Sequence, residues 1–127
     1  MVLKNINHIA IIVSDFKTSK NFYVDRLGFN VMHQIDRPER KSSILYLDAG
    51  NAIIELFSFP SPPKRPSYPE ACGLRHLAFN VENFNKTITK LNSLGIETEP
   101  VRTDERTGKK MTFFKDPDDL PLEICEV

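Results

Sequence analysis

At 127 residues, 40% hydrophobic and 27% charged, the chain is the size of one ordinary domain and can bury a core without staples. Its 17 Lys and Arg balance 17 Asp and Glu, so no basic field exists to attract nucleic acid or anchor a membrane surface. Cys72 and Cys125 make no CxxC pair, no apolar run approaches the ~20 residues of a membrane helix, and no charged-then-apolar leader opens the chain; a soluble, cytoplasmic protein with a small-molecule partner is expected.

Asn7 to Val13 alternates within an apolar run and predicts a strand. Its parity puts His8, Ala10 and Ile12 on one face and Ile9, Ile11 and Val13 on the other, toward a helix. Asp15 is placed to cap that helix, predicted from about Phe16 to Leu27 with Phe16, Tyr23 and Leu27 on one side and Gly28 ending it. Strands follow at 29–35, 42–48 and 52–59, separated by Asp36-Arg37-Pro38 and Ala49-Gly50-Asn51. Phe59 to Gly73 holds five of the nine prolines and predicts a stiff, extended linker or rim loop. A strand resumes at His76, Asn83 caps a helix carrying Phe84, Ile88, Leu91 and Leu94, and Gly95 ends it. The last strands are predicted at 97–102, 110–115 and 121–126, with turns at Asp104–Gly108 and Asp116–Asp119.

The plan is βαβββ, twice, and the halves match in detail. HIAIIVSDF (His8 to Phe16) aligns with HLAFNVENF (His76 to Phe84) at a period of 68, and IELF (Ile54 to Phe57) aligns with LEIC (Leu122 to Cys125) at the same period. Glu55 follows His8, and Glu123 follows His76, at the same interval of 47. Modules of about 5–59 and 74–127 joined by the linker at 60–73 are expected to form one domain of 1–127, because an open sheet of ~60 residues is marginal alone.

Both glutamates interrupt apolar strands on the face that turns away from the helix. A lone strand histidine is usually a satisfied core or rim residue, and a lone strand glutamate usually marks an exposed edge. Four such residues in matched register are different, because buried carboxylates are costly to desolvate and persist where a cation compensates them. His8, Glu55, His76 and Glu123 are therefore expected to share one divalent metal ion. Imidazole and carboxylate without thiolate suit Zn, Ni, Co, Mn or Fe, and four protein ligands leave room for substrate oxygens. His33 has no counterpart at period 68 and reads as surface or edge. Cys125 reads as a small buried side chain, and Cys72 lies in the proline-rich loop without a base beside it. The charged run Thr103 to Lys110 reads as a solvated hairpin tip, with a basic rim for an anionic substrate as the alternative.

HIAIIVSD, FYVDRLGF, IELF, LRHLAF and FFKDPDDLPLE, together with the paired βαβββ plan, resemble the vicinal-oxygen-chelate superfamily and within it the glyoxalase I-like proteins. The resemblance spans essentially the whole chain. It implies an α+β fold, two tandem βαβββ modules forming curved mixed sheets around a metal-binding cleft, and a homodimer. His, Glu, His, Glu is the metal set of bacterial glyoxalase I, matching His8, Glu55, His76 and Glu123. The implied reaction converts a hemithioacetal of a 2-oxoaldehyde and a thiol to a 2-hydroxyacyl thioester, with Glu55 and Glu123 as the catalytic carboxylates and Glu123 taking the C1 proton. Three positions depart from glyoxalase I: Ile12 replaces an arginine and Phe59 an asparagine that hold glutathione, and Asp119 replaces the glycine of the DPDG turn. Another metal enzyme of this scaffold, an epimerase or thiol transferase, and a non-catalytic small-molecule binder are the competing expectations.

Overall fold

The computed structural model describes all 127 residues, which divide into two compact units, Met1–Lys64 and Arg65–Val127. The boundary falls inside the proline-rich stretch, so most of that stretch belongs to the second unit. The fold is α+β, with one four-stranded mixed sheet in each unit.

In the first unit, β1 (His8–Val13) leads into α1 (Phe16–Lys20), then β2 (Asn30–Arg37), β3 (Ser42–Asp48) and β4 (Ile53–Ser58) follow. The sheet order is β1-β4-β3-β2, with β1 parallel to β4 and the other pairs antiparallel. Asp15 caps α1 as expected, accepting a 2.8 Å hydrogen bond from the Thr18 amide. The predicted helix to Leu27 continues past α1 as a π-helical segment, Asn21–Arg26. Its wider turn, seen in the Leu27 amide donating to the Phe22 carbonyl five residues back, rotates successive side chains less. Adjacent Phe22 and Tyr23 are consequently both buried, where the 3.6-residue period allowed for Tyr23 alone. They pack with Ile11, Val13, Leu45, Leu47, Ile54 and Leu56 into the first core.

The second unit repeats the plan with β5 (Leu77–Val81), α2 (Phe84–Ser93), β6 (Arg102–Thr103), β7 (Lys110–Lys115) and β8 (Pro121–Glu126), ordered β5-β8-β7-β6. Asn83 caps α2 by accepting from the Lys86 amide at 3.1 Å. Gly95, at φ +76°, takes the left-handed conformation that lets the Ile96 amide reach back to the Leu91 carbonyl. The strand expected over 97–102 shrinks to Arg102–Thr103. Pro100 has no N–H to give to a ladder, so the preceding backbone pairs with β7 only where the Glu99 amide donates to the Phe113 carbonyl, at 2.9 Å. No helix is long and apolar enough to cross a membrane.

Candidate functional site

Strand pairing places the two glutamates in equivalent surroundings. Glu55 stands between Ala10 of β1 and Tyr46 of β3, and Glu123 between Ala78 of β5 and Phe113 of β7. Paired residues point to one face of a sheet. In each unit, then, an alanine two residues after the histidine leaves space beside the carboxylate. The expected parity of β1 holds: Ile11 and Val13 are buried on the helix side, while Ile12 is 57% exposed on the other.

The histidines close onto these carboxylates. His8 Nδ1 lies 3.2 Å from Glu55 Oε2, and His76 Nε2 lies 3.0 Å from Glu123 Oε2. Both glutamate side chains are withdrawn from solvent, at 12% and 9% exposure, while the histidines remain accessible at 47% and 27%. The structure thus joins His8 with Glu55 and His76 with Glu123, one pair per unit; within neither unit are three His, Cys, Asp or Glu side chains gathered at one point.

The residue before each histidine sets its tautomer. Asn7 Oδ1 sits 2.8 Å from His8 Nδ1, so that nitrogen faces two acceptors and carries the proton. Arg75 occupies the matching place in the second unit, with Nη1 3.2 Å from His76 Nδ1. An arginine can only donate, so Nδ1 accepts and the proton of the neutral ring sits on Nε2, aimed at Glu123. The other Glu123 oxygen accepts from the Cys125 thiol at 3.3 Å. Burial, then that hydrogen bond and the carboxylate's charge, push the thiol up to about 11, so it is the un-ionised donor at neutral pH. The Phe113 ring meets His76 edge-on, with centroids 5.1 Å apart.

Reasoning from the sequence missed Arg75, although its register partner Asn7 marks the position before both histidines as polar. His33 is exposed on the edge strand β2, as expected. A bulge between Val31 and His33 turns that ring to face Tyr46, with centroids 6.0 Å apart, in the same cross-strand row as Glu55. The hairpin tip from Thr103 to Lys110 is mostly exposed, as expected; its Asp104 carboxylate accepts from the Arg106 amide.

The donor set fits a divalent ion. Each unit offers one imidazole and one carboxylate held 3.0–3.2 Å apart by a hydrogen bond that ligation would replace, a separation close to the ~3.0 Å between neighbouring donors of an octahedral ion with ligands at about 2.1 Å. Neutral imidazole and carboxylate are also the ligands that borderline divalent ions take together.

Two βαβββ units, each carrying a histidine and a glutamate at one register, define a class of proteins that present paired half-sites on mixed sheets. The chain belongs to the Glyoxalase/Bleomycin resistance protein/Dioxygenase superfamily, whose family model matches residues 5–124. The protein YwkD of Bacillus subtilis is 58% identical over 127 residues, covering 99% of each chain. A glyoxalase family protein from Enterococcus faecalis, known from its crystal structure, is 54% identical with a TM-score of 0.91, covering 99% of this chain and 100% of that one. Among more distant relatives are a probable lactoylglutathione lyase from Synechocystis, 30% identical over 94% of this chain and 92% of its own, and human mitochondrial methylmalonyl-CoA epimerase, 27% identical over 98% and 73%.

Proposed function

We propose that the two units act as one domain, residues 1–127, in which His8, Glu55, His76 and Glu123 hold a single divalent metal ion, and that the protein is a glyoxalase I-like lyase. The substrate is a hemithioacetal of a 2-oxoaldehyde and a thiol, and the product is the thioester of a 2-hydroxy acid. One observation carries the reading: two His–Glu pairs in identical register, each with its nitrogen and oxygen at the spacing of neighbouring metal ligands. The likeness to the probable lactoylglutathione lyase supports it.

When bound, the ion polarises the substrate oxygens and carries the negative charge left by removal of a proton. The chain does the rest. Glu123, withdrawn from water, takes the proton from C1 and delivers it to C2. Atoms balance without an oxidant or a second substrate: one C–H bond breaks, another forms, and the hydroxyl and carbonyl exchange places. Cys125 donates to one Glu123 oxygen and orients the carboxylate; His76 holds the other oxygen only until its Nε2 turns to the ion. For His76 to ligate through Nε2 its proton moves to Nδ1, and Arg75 then releases that nitrogen; Glu70, 3.4 Å from Arg75 Nη2, is placed to keep the guanidinium.

The face that meets the thiol is apolar. Ile12 and Phe59 are 57% and 42% exposed, and Phe59 stacks on Phe57 at 5.8 Å. That favours a thiol other than glutathione. It also favours, as a second reading, proton transfer next to the thioester carbonyl of an acyl carrier, as an epimerase performs; the likeness to methylmalonyl-CoA epimerase supports that alternative.

The test is metal analysis of the purified protein with reloading by Zn, Ni, Co, Mn or Fe, then an assay against hemithioacetals of several thiols. One tight site per chain and isomerase activity lost in Glu123→Gln at saturating metal are expected. A chain that binds no divalent ion, or full turnover in Glu123→Gln, sinks the proposal.

A further inference from the structure

A cavity of about 180 Å³ lies wholly within the second unit, between the end of the proline-rich stretch and the sheet. We infer that it is a binding subsite for an anionic group, a phosphate or carboxylate, carried by the substrate on the arm remote from the reacting carbons. The link to the reaction rests on the function proposed above; the anion site itself does not.

The first argument is charge. The chain has no net charge, yet this cavity is lined by Arg65, Arg75, Arg102 and Lys115 against Glu70 and Glu99. The two carboxylates are engaged only in exposed, long ion pairs, Arg75–Glu70 at 3.4 Å and Arg102–Glu99 at 3.3 Å, with every partner about half exposed or more. Such pairs are worth little and yield readily to a better acceptor. No carboxylate lies within ion-pair distance of Arg65 or Lys115.

The second argument is rigidity. Arg65 is fixed where it stands, donating through Nη2 to the carbonyls of Leu74 and Arg75 at 2.9 Å each, and through Nε to Ser67 at 3.1 Å. It clasps the loop into the wall of the cavity and brings its charge there. Arg102 lies over the Phe113 ring at 5.1 Å, which orients the guanidinium plane. Planar, oriented guanidinium groups beside a free ammonium are what forked anionic oxygens bind best.

The third argument is position. Phe113 is a wall of the cavity on one side and the packing partner of His76 on the other. Arg75 likewise lines the cavity while touching His76. An anion held here therefore sits one side chain away from the His76–Glu123 pair. The volume equals about six waters at liquid density, enough for one phosphate or a short carboxylate arm.

Binding of inorganic phosphate and of succinate to the full-length, metal-free protein tests this by calorimetry or amide chemical shifts. Saturable binding of either is expected, weakened about tenfold by Lys115→Gln and tightened about threefold by Glu99→Gln, which frees Arg102. Circular dichroism checks that each variant is folded, and the opposite signs separate charge recognition from misfolding. Preference for phosphate assigns a phosphorylated substrate, and preference for succinate a carboxylated one. No saturation of either below about 50 mM, or affinities unmoved in both variants, overturns the inference. A protein that binds the anion without metal, or metal without the anion, separates the failure of one proposal from that of the other.

Discussion

Replacing Arg75 by glutamine should tighten divalent-metal binding, although the residue is no ligand. In the metal-free protein Arg75 donates to His76 Nδ1 and so keeps the proton on Nε2, the nitrogen nearer Glu123. A metal at Nε2 needs the opposite tautomer, whose Nδ1–H meets a guanidinium that cannot accept it. Metal binding therefore has to break this contact. At 3.2 Å, with the Arg75 side chain 64% exposed, the contact is worth about 1 kcal/mol after screening. Its removal returns about a fivefold gain in affinity. Glutamine adds a carbonyl that can accept from Nδ1–H, and support of that kind behind a ligating histidine brings the total to roughly 5- to 50-fold.

Competition against a chromophoric chelator at fixed neutral pH measures the affinity. Arg75→Lys is the control, since it preserves a cationic donor with no acceptor and should not reproduce the gain. Long-range proton–nitrogen NMR of the metal-free wild type should show the Nε2–H form of His76, a readout independent of any metal. Unchanged affinity in Arg75→Gln, an equal gain in Arg75→Lys, or an Nδ1–H tautomer in the metal-free protein would refute the reasoning.

Other consequences concern stability. Asn83→Ala removes the acceptor for the Lys86 amide and should cost about 1 kcal/mol in urea unfolding, whereas Asn83→Asp should keep most of it. Asp119, at φ +66°, is a non-glycine residue in the left-handed region, so Asp119→Gly should raise stability in urea unfolding by about 0.5–1 kcal/mol. The Asp15 carboxyl is held below its ordinary value of 3.8, chiefly by the Thr18 amide. A depressed folded-state value contributes stability that is present above the unfolded value and lost as pH falls through the folded one. The midpoint advantage of wild type over Asp15→Ala should therefore be constant above about pH 5 and shrink below about pH 4, a loss that Asp15→Asn, which does not titrate, should not show.

Much of this architecture was legible because the chain states it twice. A single strand leaves its inward face ambiguous, but two copies with His, Ala and Glu at one period settle the parity of β1, β4, β5 and β8 together. What escaped depends on departures from regular geometry. The π-helical segment, whose wider turn buries both Phe22 and Tyr23, is signalled by no 3.6-residue pattern. The bulge before His33 shifts register by one residue and sets that ring opposite Tyr46, a detail of an edge strand that the period does not signal. The strand predicted over 97–102 is shorter in the structure because Pro100, whose missing N–H decides the matter at a sheet edge, interrupts it. The cationic cavity was beyond reach, since Arg65, Arg75, Arg102 and Lys115 belong to separate stretches that only the folded chain assembles.

The two His–Glu pairs stand at one sequence period yet differ in their surroundings. Beside Glu55 stand the phenol-bearing Tyr46 and an Asn7 that holds the His8 proton, and the pair is the more open of the two. Beside Glu123 stand the hydrocarbon ring of Phe113 and an un-ionised thiol, and the carboxylate is 9% exposed. Both carboxylates are withdrawn from water, at 12% and 9% exposure, and have little solvent to shed before meeting a carbon-bound proton; the contrast between them lies in their neighbours. The cationic cavity adjoins the second pair, so on the proposed reading a substrate held there by its anionic arm would present its reacting carbons next to Glu123. On the proposed reading the duplication supplies symmetric ligands, and the differences at Tyr46/Phe113 and Asn7/Arg75 leave the proton chemistry to the Glu123 side.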